Sequence, residues 1–245
     1  MTDRDTQAEN GSTDPSFELV DGVHAIPVTL ELEDRDVVVN PAAVETDRGV
    51  LLLDCPGWPS AADQLRAGLD HAGFDWEDVW ATLLTHQDVD HASGLAELVG
   101  RTAPVVFAHR ECAPYLDGSG HPIKMEDDDR YPAARVDVEA SEGVRFDTAA
   151  GPADLYHTPG HTPGHVSLHF PGESLLLAGD ALHVSEGELK GPRGTLDEAA
   201  SADSIGKLSE LDVSLTHCFH WGHVDEGTEA IAAIRDDAAE SLGDG

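Results

Sequence analysis

Four residues that can bind a metal ion lie within six positions, directly after an apolar strand-like run. The run is VWATLLT at residues 79–85, and His86, Asp88, Asp90 and His91 follow it. A near-continuous apolar run is typical of a strand that is buried on both faces. Imidazole nitrogens and carboxylate oxygens at its end can converge on a point outside the sheet, and they suit Zn, Mn or Fe. The alternative is a polar loop of solvated side chains.

Three histidines spaced four residues apart form a second cluster, in the run HTPGHTPGH at residues 157–165. Glycines permit tight turns and prolines fix the loop, so imidazoles can be held rigidly there without a helix. His161 sits between the two turns and is the favoured ligand. His157 ends one expected strand and His165 begins the next, so both are expected to be hydrogen-bonded structural histidines.

Two further apolar runs lead into candidate ligands. The run LLLAG at residues 175–179 precedes Asp180, and a later run precedes His217, His220 and His223. All of these motifs place His or Asp just beyond a strand. They are therefore expected to share one rim of the fold, which is the usual position of a functional site. Taken alone, Asp180 could instead cap a turn.

The motifs HxxxDH, GHTPGH, GD after an apolar strand and a final histidine after another strand occur in this order. Their order and separation resemble the metallo-β-lactamase superfamily, including its glyoxalase II-like hydrolases. The resemblance extends from about Phe17 to the C-terminal helix. It implies an α/β fold, the αβ/βα four-layer sandwich, over residues 17–245. The polar residues 1–16 are expected to be a disordered acidic tail.

The resemblance also implies two divalent metal ions, zinc foremost, held by residues at the matching positions. The first metal would be held by His86, Asp88 and His161. The second would be held by Asp90, His91 and His220, and Asp180 would bridge the two.

Asp88 departs from the family pattern, because family hydrolases usually carry His at this position. A carboxylate is a harder, anionic ligand, so it shifts the preference from Zn toward Fe or Mn and makes bound water less acidic. Oxygen-reducing diiron members of the superfamily carry Glu there, although they are fused to a flavin domain. Two alternatives to a hydrolase therefore stay open: an iron-dependent oxidoreductase and a non-catalytic metal- or ligand-binding protein.

The activity that the resemblance implies is cleavage of an acyl ester, thioester or lactone by a metal-bridging hydroxide. Asp90, besides binding metal, is expected to orient that hydroxide and to pass a proton to the leaving group. His183 lies three residues after Asp180, where lactonase relatives place a tyrosine. It is expected to contact the substrate or its oxyanion, with a surface histidine as the alternative.

The charge of the chain restricts its partners. The 245 residues include 14 Lys and Arg against 48 Asp and Glu, for a formal net charge of -34. Such a surface repels nucleic acids and anionic membranes, so a small-molecule substrate is expected. With 40% hydrophobic residues, the acidity indicates a solvating surface suited to very high salt rather than a disordered chain. Without a charged-then-apolar leader or a run near the roughly 20 apolar residues of a membrane span, a cytoplasmic location is expected. The sequence sets no number of subunits.

Overall fold

A computed structural model describes residues 14–32, 35–57, 60–126 and 129–243. Residues 1–13 of the expected tail lie outside the described residues. Ser16, at the end of that segment, is buried, and its Oγ is hydrogen-bonded to Nδ1 of His71 at 3.0 Å. The expected boundary at residue 16 is therefore too late, because Ser16 already packs against the helix that carries His71.

The strands of the N-terminal half form a sheet and a separate hairpin. In chain order they are β1 Phe17–Val20, β2 Val23–Ala25, β3 Val28–Glu31, β4 Asp36–Val39, β5 Ala42–Thr46, β6 Gly49–Leu53, β7 Val79–Leu84, β8 Val105–His109 and β9 Val138–Ala140. Within the described residues the sheet has seven strands in the order β1-β2-β5-β6-β7-β8-β9, and β3 pairs with β4. The helices of this half are α1 Ala61–Ala72, α2 Val89–Ala92, α3 Leu95–Thr102 and α4 Ala113–Asp117.

The C-terminal half repeats this arrangement. Its strands are β10 Arg145–Thr148, β11 Gly151–His157, β12 Val166–Phe170, β13 Leu175–Gly179, β14 His183–Ser185, β15 Glu188–Lys190, β16 Leu215–Cys218 and β17 Gly222–Val224. The described residues form a six-stranded sheet in the order β10-β11-β12-β13-β16-β17, and β14 pairs with β15. The helices are α5 Glu198–Leu208 and α6 Thr228–Gly243.

The two sheets pack face to face, and helices cover their outer faces. Along β6, Leu51 and Leu53 point into the core between the sheets, whereas Val50 and Leu52 point toward α1. Successive residues of β13 alternate in the same way between the central core and the α5–α6 layer. Each fully buried Leu or Val contributes about 1.5–3 kcal/mol, so apolar runs are favourable in strands that are buried on both faces. The layer order is helices, sheet, sheet, helices, which confirms the predicted αβ/βα sandwich.

The apolar run at residues 37–44 resembles a single strand in the sequence, but the structure divides it. Asn40 and Pro41 separate β4, which pairs with β3, from β5, which pairs with β2 and β6. Proline lacks the N–H that a ladder needs, so the chain changes direction there. The expected helix over 92–99 is likewise two helices, α2 and α3. They meet at Gly94, where a Cβ atom would lie 2.6 Å from the carbonyl oxygen of Pro56.

Two other parts of the structure bear on the site. The described part of residues 118–131 contains no helix or strand, as predicted for this charged segment. The short helix α4 that precedes it was not predicted. Among the described residues no helix is long and apolar enough to cross a bilayer.

Candidate metal centre

The candidate site lies where strands of both sheets end. β6 and β7 are parallel in one sheet and β13 and β16 are parallel in the other, so the carboxyl ends of each pair reach the same edge. His86 follows β7, and His220 follows β16. Asp180 follows Gly179, whose φ is +58° and where a Cβ would lie 2.7 Å from Nε2 of His165. Glycine is therefore required at the residue that delivers Asp180 to the rim.

The first group of candidate ligands surrounds Asp88. Its Oδ2 lies 3.3 Å from Nε2 of His86 and 3.0 Å from Nε2 of His161. His86 is fully buried, and His161 is 6% exposed. Three side chains from two separate loops thus present ligand atoms within 4.8 Å of one another.

The second group lies beside the first and shares a carboxylate with it. Nε2 of His220 is 3.2 Å from Oδ2 of Asp90, and Asp90, His91 and His220 again have ligand atoms within 4.8 Å of one another. Oδ1 of Asp180 is 3.3 Å from Nε2 of His91, and Oδ2 is 3.3 Å from Nε2 of His220. The same Oδ2 lies 3.5 Å from Nε2 of His161 in the first group. The structure therefore brings all seven predicted residues together, with Asp180 between the two groups.

A buried aspartate that the sequence interpretation missed orients His91. Asp54 follows β6 in a left-handed conformation, with φ of 64°, and its Oδ2 accepts a hydrogen bond from Nδ1 of His91 at 2.9 Å. It also accepts hydrogen bonds from the backbone N–H and the hydroxyl of Thr85. Hydrogen on Nδ1 leaves the Nε2 lone pair of His91 facing Asp180. A carboxylate behind a histidine in this way is typical of metal sites.

His161 is oriented by the backbone of the loop before α5. Its Nδ1–H donates to the carbonyl oxygen of Arg193 at 2.7 Å, which directs the Nε2 lone pair into the site. On that side Nζ of Lys124 donates to Nε2 of His161 and to Oδ2 of Asp88, both at 2.7 Å. Lys124 comes from the irregular segment at 118–131 and was not a predicted site residue.

The electrostatics of the site are those of carboxylates embedded among histidines. Burial raises the pKa of Asp88, but the neighbouring His86, His161 and Lys124 outweigh it and hold that pKa well below its ordinary range. Burial lowers the pKa of His220, but Asp180 and Asp90 outweigh it and raise the value to about 9. The carboxylates of this rim thus stabilise positive charge, which is the charge that a bound metal ion carries.

The donor set fits divalent metal ions. Nε2 of His86, Nε2 of His91 and Oδ1 of Asp180 are buried without a hydrogen-bond partner among the described residues. Burying polar atoms unpaired is costly, and nearly all such atoms in folded proteins have a partner. Here the unpaired atoms are imidazole nitrogens and a carboxylate oxygen that converge on one region, which is the ligand chemistry of Zn, Mn and Fe.

A cavity of about 200 Å³ opens over these groups. Its lining includes Asp90, Asp180 and His220 together with His183 and Trp221. Nδ1 of His183 donates to the carbonyl oxygen of Gly191, and Nε2 accepts a hydrogen bond from Nε of Arg193 at 3.0 Å. Both ring nitrogens of His183 are therefore engaged, whereas the terminal nitrogens of Arg193 have no hydrogen-bond partner among the described residues.

The aromatic residues beside His220 have different environments. Phe219 is buried in the core and stacks on His91, with 3.6 Å between the ring centroids. Trp221 is 39% exposed and lines the cavity.

The remaining histidines of the motifs make structural contacts. Nε2 of His157 donates to the carbonyl oxygen of Pro163 at 2.8 Å. His165 accepts the backbone N–H of Asp180 on Nε2 and contacts Thr158 through Nδ1, as predicted for a hydrogen-bonded histidine. His217 is buried, with Nε2 donating to the carbonyl oxygen of Asn40, and the ring of His223 packs against Phe17.

The arrangement is matched by one protein family. The sequence profile of the metallo-beta-lactamase superfamily matches residues 34–220, which include all seven clustered residues. The chain belongs to this superfamily.

Among curated relatives, the hydroxyacylglutathione hydrolase of Ruegeria pomeroyi is 30% identical over 161 residues, covering 65% of this chain and 52% of that protein. The subunit alpha of 2,4-dinitroanisole O-demethylase from a Nocardioides species is 27% identical over 150 residues, covering 60% of this chain and 42% of that one. The chain thus spans about half the length of the curated relatives it matches.

Solved structures agree on the fold. A metallo-beta-lactamase family protein from Thermus thermophilus superposes with a TM-score of 0.72 at 21% identity, covering 92% of this chain and 82% of that chain. The MIM-2 metallo-beta-lactamase superposes with a TM-score of 0.71 at 19% identity, covering 94% of this chain and 90% of that chain.

Proposed function

We propose that this protein is a metal-dependent hydrolase that cleaves an acyl ester, thioester or lactone, with two divalent metal ions at the rim. The observation that carries the proposal is the position of Asp180, whose two oxygens contact histidines of both candidate groups. The curated relatives of this chain include hydroxyacylglutathione hydrolases. The substrate in that name, a hydroxyacylglutathione, is a thioester.

In this proposal His86, Asp88 and His161 would hold one metal, Asp90, His91 and His220 would hold the other, and Asp180 would serve as a ligand shared by the two. When bound, the metals supply Lewis acidity toward a substrate carbonyl and make water a nucleophile near neutral pH. A cavity of about 200 Å³ that is open to solvent lies above these residues and can admit the reacting group of a substrate.

The residues of the chain supply orientation and proton transfer. Asp54 and the carbonyl of Arg193 fix His91 and His161 with their Nε2 atoms facing the site. Burial raises the pKa of Asp90, but His91 and His220 outweigh it and lower that pKa, so its carboxylate is ionised. Because Asp90 lines the cavity, it can orient the attacking water, accept its proton and return it to the leaving group.

An iron-dependent oxidoreductase is the second candidate, and Asp88 is the observation that favours it. Two carboxylates, Asp88 and Asp180, lie within 3.5 Å of Nε2 of His161. Oxygen-rich ligand sets are harder and favour Fe or Mn over Zn more than histidine-rich sets do.

Hydrolysis after removal and return of metal tests the proposal. The full chain would be purified in high salt, stripped with a chelator and reloaded separately with Zn, Mn or Fe(II). It would then be assayed on a hydroxyacylglutathione, a simple acyl thioester, a lactone and a nitrophenyl ester. We expect turnover of at least one substrate that disappears on stripping and returns with metal.

Oxygen uptake by the iron-loaded protein separates the two candidates. Oxygen consumption without hydrolysis supports the oxidoreductase. Hydrolysis that is equal before and after stripping contradicts both.

A further inference from the structure

Arg193 lines the same cavity as the candidate metal ligands. Nε of Arg193 donates to Nε2 of His183 at 3.0 Å, and its guanidinium carbon lies 4.8 Å from the centre of the Trp221 ring. Among the described residues, neither of its terminal nitrogens has a hydrogen-bond partner. The side chain is thus held at Nε and stacked on an aromatic face, while its outer N–H groups stay available.

Trp221 is held in a backbone conformation that bulky residues rarely adopt. Its φ is +65°, in the left-handed region. The preceding residue, His220, forms an isolated β-bridge with Val39, and the following residue, Gly222, has a φ of +87°. Unusual backbone conformations of this kind occur preferentially at ligand-binding sites, where the surrounding structure enforces them. Here the conformation places the indole ring beside both His183 and Arg193.

His183 is arranged to hold the arginine. Its Nδ1 donates to the carbonyl oxygen of Gly191, so Nε2 carries the lone pair that Nε of Arg193 needs. Burial, together with the nearby guanidinium, lowers the pKa of His183, which keeps the ring neutral and able to accept.

The backbone of the same loop also touches the candidate metal centre. The carbonyl of Arg193 accepts from His161, and a Cβ at Gly194 would lie 3.9 Å from the His161 ring. The residue that carries the guanidinium is therefore also in contact, through its backbone, with the candidate metal ligand His161.

The charge of Arg193 is opposite to that of its surroundings. The chain has 14 Lys and Arg against 48 Asp and Glu. The same cavity is also lined by Asp88, Asp90 and Asp180. A guanidinium with two free terminal nitrogens matches the two oxygens of a carboxylate. A local cation also offsets the repulsion that an anionic substrate meets at such an acidic surface.

We propose that Arg193, positioned by His183 and Trp221, binds a carboxylate of the substrate. The ester or thioester that is cleaved then carries a carboxylate on the acyl part or on the leaving group. This inference rests on the proposed hydrolase function and adds the class of substrate to it.

Matched substrate pairs test the inference. One pair is the acetyl thioester of 3-mercaptopropionate and that of 3-mercaptopropionamide. The other is the succinyl and the succinamoyl thioester of N-acetylcysteamine. In each pair a carboxylate is replaced by a carboxamide of the same shape. For wild-type protein we expect kcat/KM for the carboxylate member of at least one pair to exceed that for its amide about tenfold or more, the factor that one charge-assisted hydrogen bond supplies.

Variants assign the preference to Arg193. Arg193→Met should reduce the carboxylate-to-amide ratio to near one, mainly through KM, and Arg193→Lys should keep part of it. The matched control is Arg101→Met, because Arg101 pairs with Glu97 on the exposed face of α3. That variant should keep the wild-type ratio.

A binding measurement keeps the test independent of turnover. Calorimetric titration with thioether analogues of the same four compounds should give tighter binding of a carboxylate, and Arg193→Met should remove that difference. Hydrolysis of all four thioesters with ratios within twofold overturns the role of Arg193 and leaves the hydrolase intact. Hydrolysis of none of them, with a carboxylate preference in binding, counts against the hydrolase and supports Arg193. Equal binding of carboxylates by wild type and Arg193→Met overturns the inference.

Discussion

The ammonium group of Lys124 lies 2.7 Å from Oδ2 of Asp88 and 2.7 Å from Nε2 of His161. These two atoms are the ligand atoms proposed for the first metal. Lys124 therefore provides a cation to the same lone pairs that a metal would use. A neutral histidine at position 88 could not form this ion pair, so the contact of Lys124 depends on the carboxylate of Asp88.

Replacing Lys124 with Met should strengthen metal binding at the first site. In this variant the metal no longer has to displace two charge-assisted hydrogen bonds. We therefore expect the affinity of the first site for metal to rise about tenfold or more. Competition with a chelating dye measures both dissociation constants. Lys190→Met is the control, because Lys190 pairs with Glu188 on an exposed hairpin. Unchanged affinities in Lys124→Met would show that the lysine does not compete with metal.

Replacing Asp54 with Asn should weaken metal binding through His91. The side chain keeps its shape but loses the charge that fixes hydrogen on Nδ1 of His91, and loss of such a partner typically reduces metal affinity by about 10–100-fold. The same competition assay measures the effect. Asp203→Asn on the exposed side of α5 is the control and should bind metal like wild type. Wild-type affinity in Asp54→Asn would contradict the orienting role.

Stability should fall with acid through His217. Burial lowers the pKa of this histidine to about 4, against 6.5 in the unfolded chain. Between these values the unfolded state binds the proton more tightly. The contribution of neutral His217 to the free energy of unfolding is therefore fully present above pH 6.5. It is lost as the pH falls toward 4, which lowers the free energy of unfolding by about 3 kcal/mol. Denaturant unfolding of wild type and His217→Gln across this range measures the difference, which should shrink as pH falls. Parallel pH profiles of the two proteins would contradict the prediction.

The melting temperature should rise with salt. At a net charge of -34, repulsion among carboxylates opposes folding in dilute buffer. Molar KCl shortens the Debye length to about 3 Å and so screens this repulsion. Thermal unfolding at fixed pH in dilute buffer and in molar KCl gives the comparison, with sucrose as an uncharged control. Equal melting temperatures in the two salt conditions would rule out a surface adapted to high salt.

The sequence predicts the parts of the site that follow from strand ends. Asp180 follows an apolar strand and His161 stands between two turns, so local pattern favoured both. His220 also follows an apolar strand, but only the family resemblance separated it from His217 and His223. Asp54 directly follows the apolar run VLLL at residues 50–53, so the same rule could have identified it. Lys124 could not, because it lies in a loop without periodicity, 36 residues after Asp88, and reaches the site only through tertiary packing.

The contact between Arg193 and Trp221 in the cavity could not be predicted from the sequence either. Arg193 follows the short hairpin β14–β15, which was not predicted, and its contact with Trp221 joins two distant segments. In the fold, the division of residues 37–44 was missed because valines and alanines on both sides resemble one strand. Pro41 was the signal that marks the break.

The metal content of the purified protein tests directly whether Asp180 joins two metal sites. Protein purified in high salt would be analysed for Zn, Mn and Fe by mass spectrometry as wild type, Asp180→Ala and His157→Ala. Wild type and His157→Ala should each hold two divalent ions per chain, because the imidazole of His157 donates to the carbonyl oxygen of Pro163 and stacks on His109, outside the two candidate ligand groups. Asp180→Ala should hold fewer, since it loses the carboxylate between the two groups. Retention of both ions by Asp180→Ala would contradict the bridged two-metal centre.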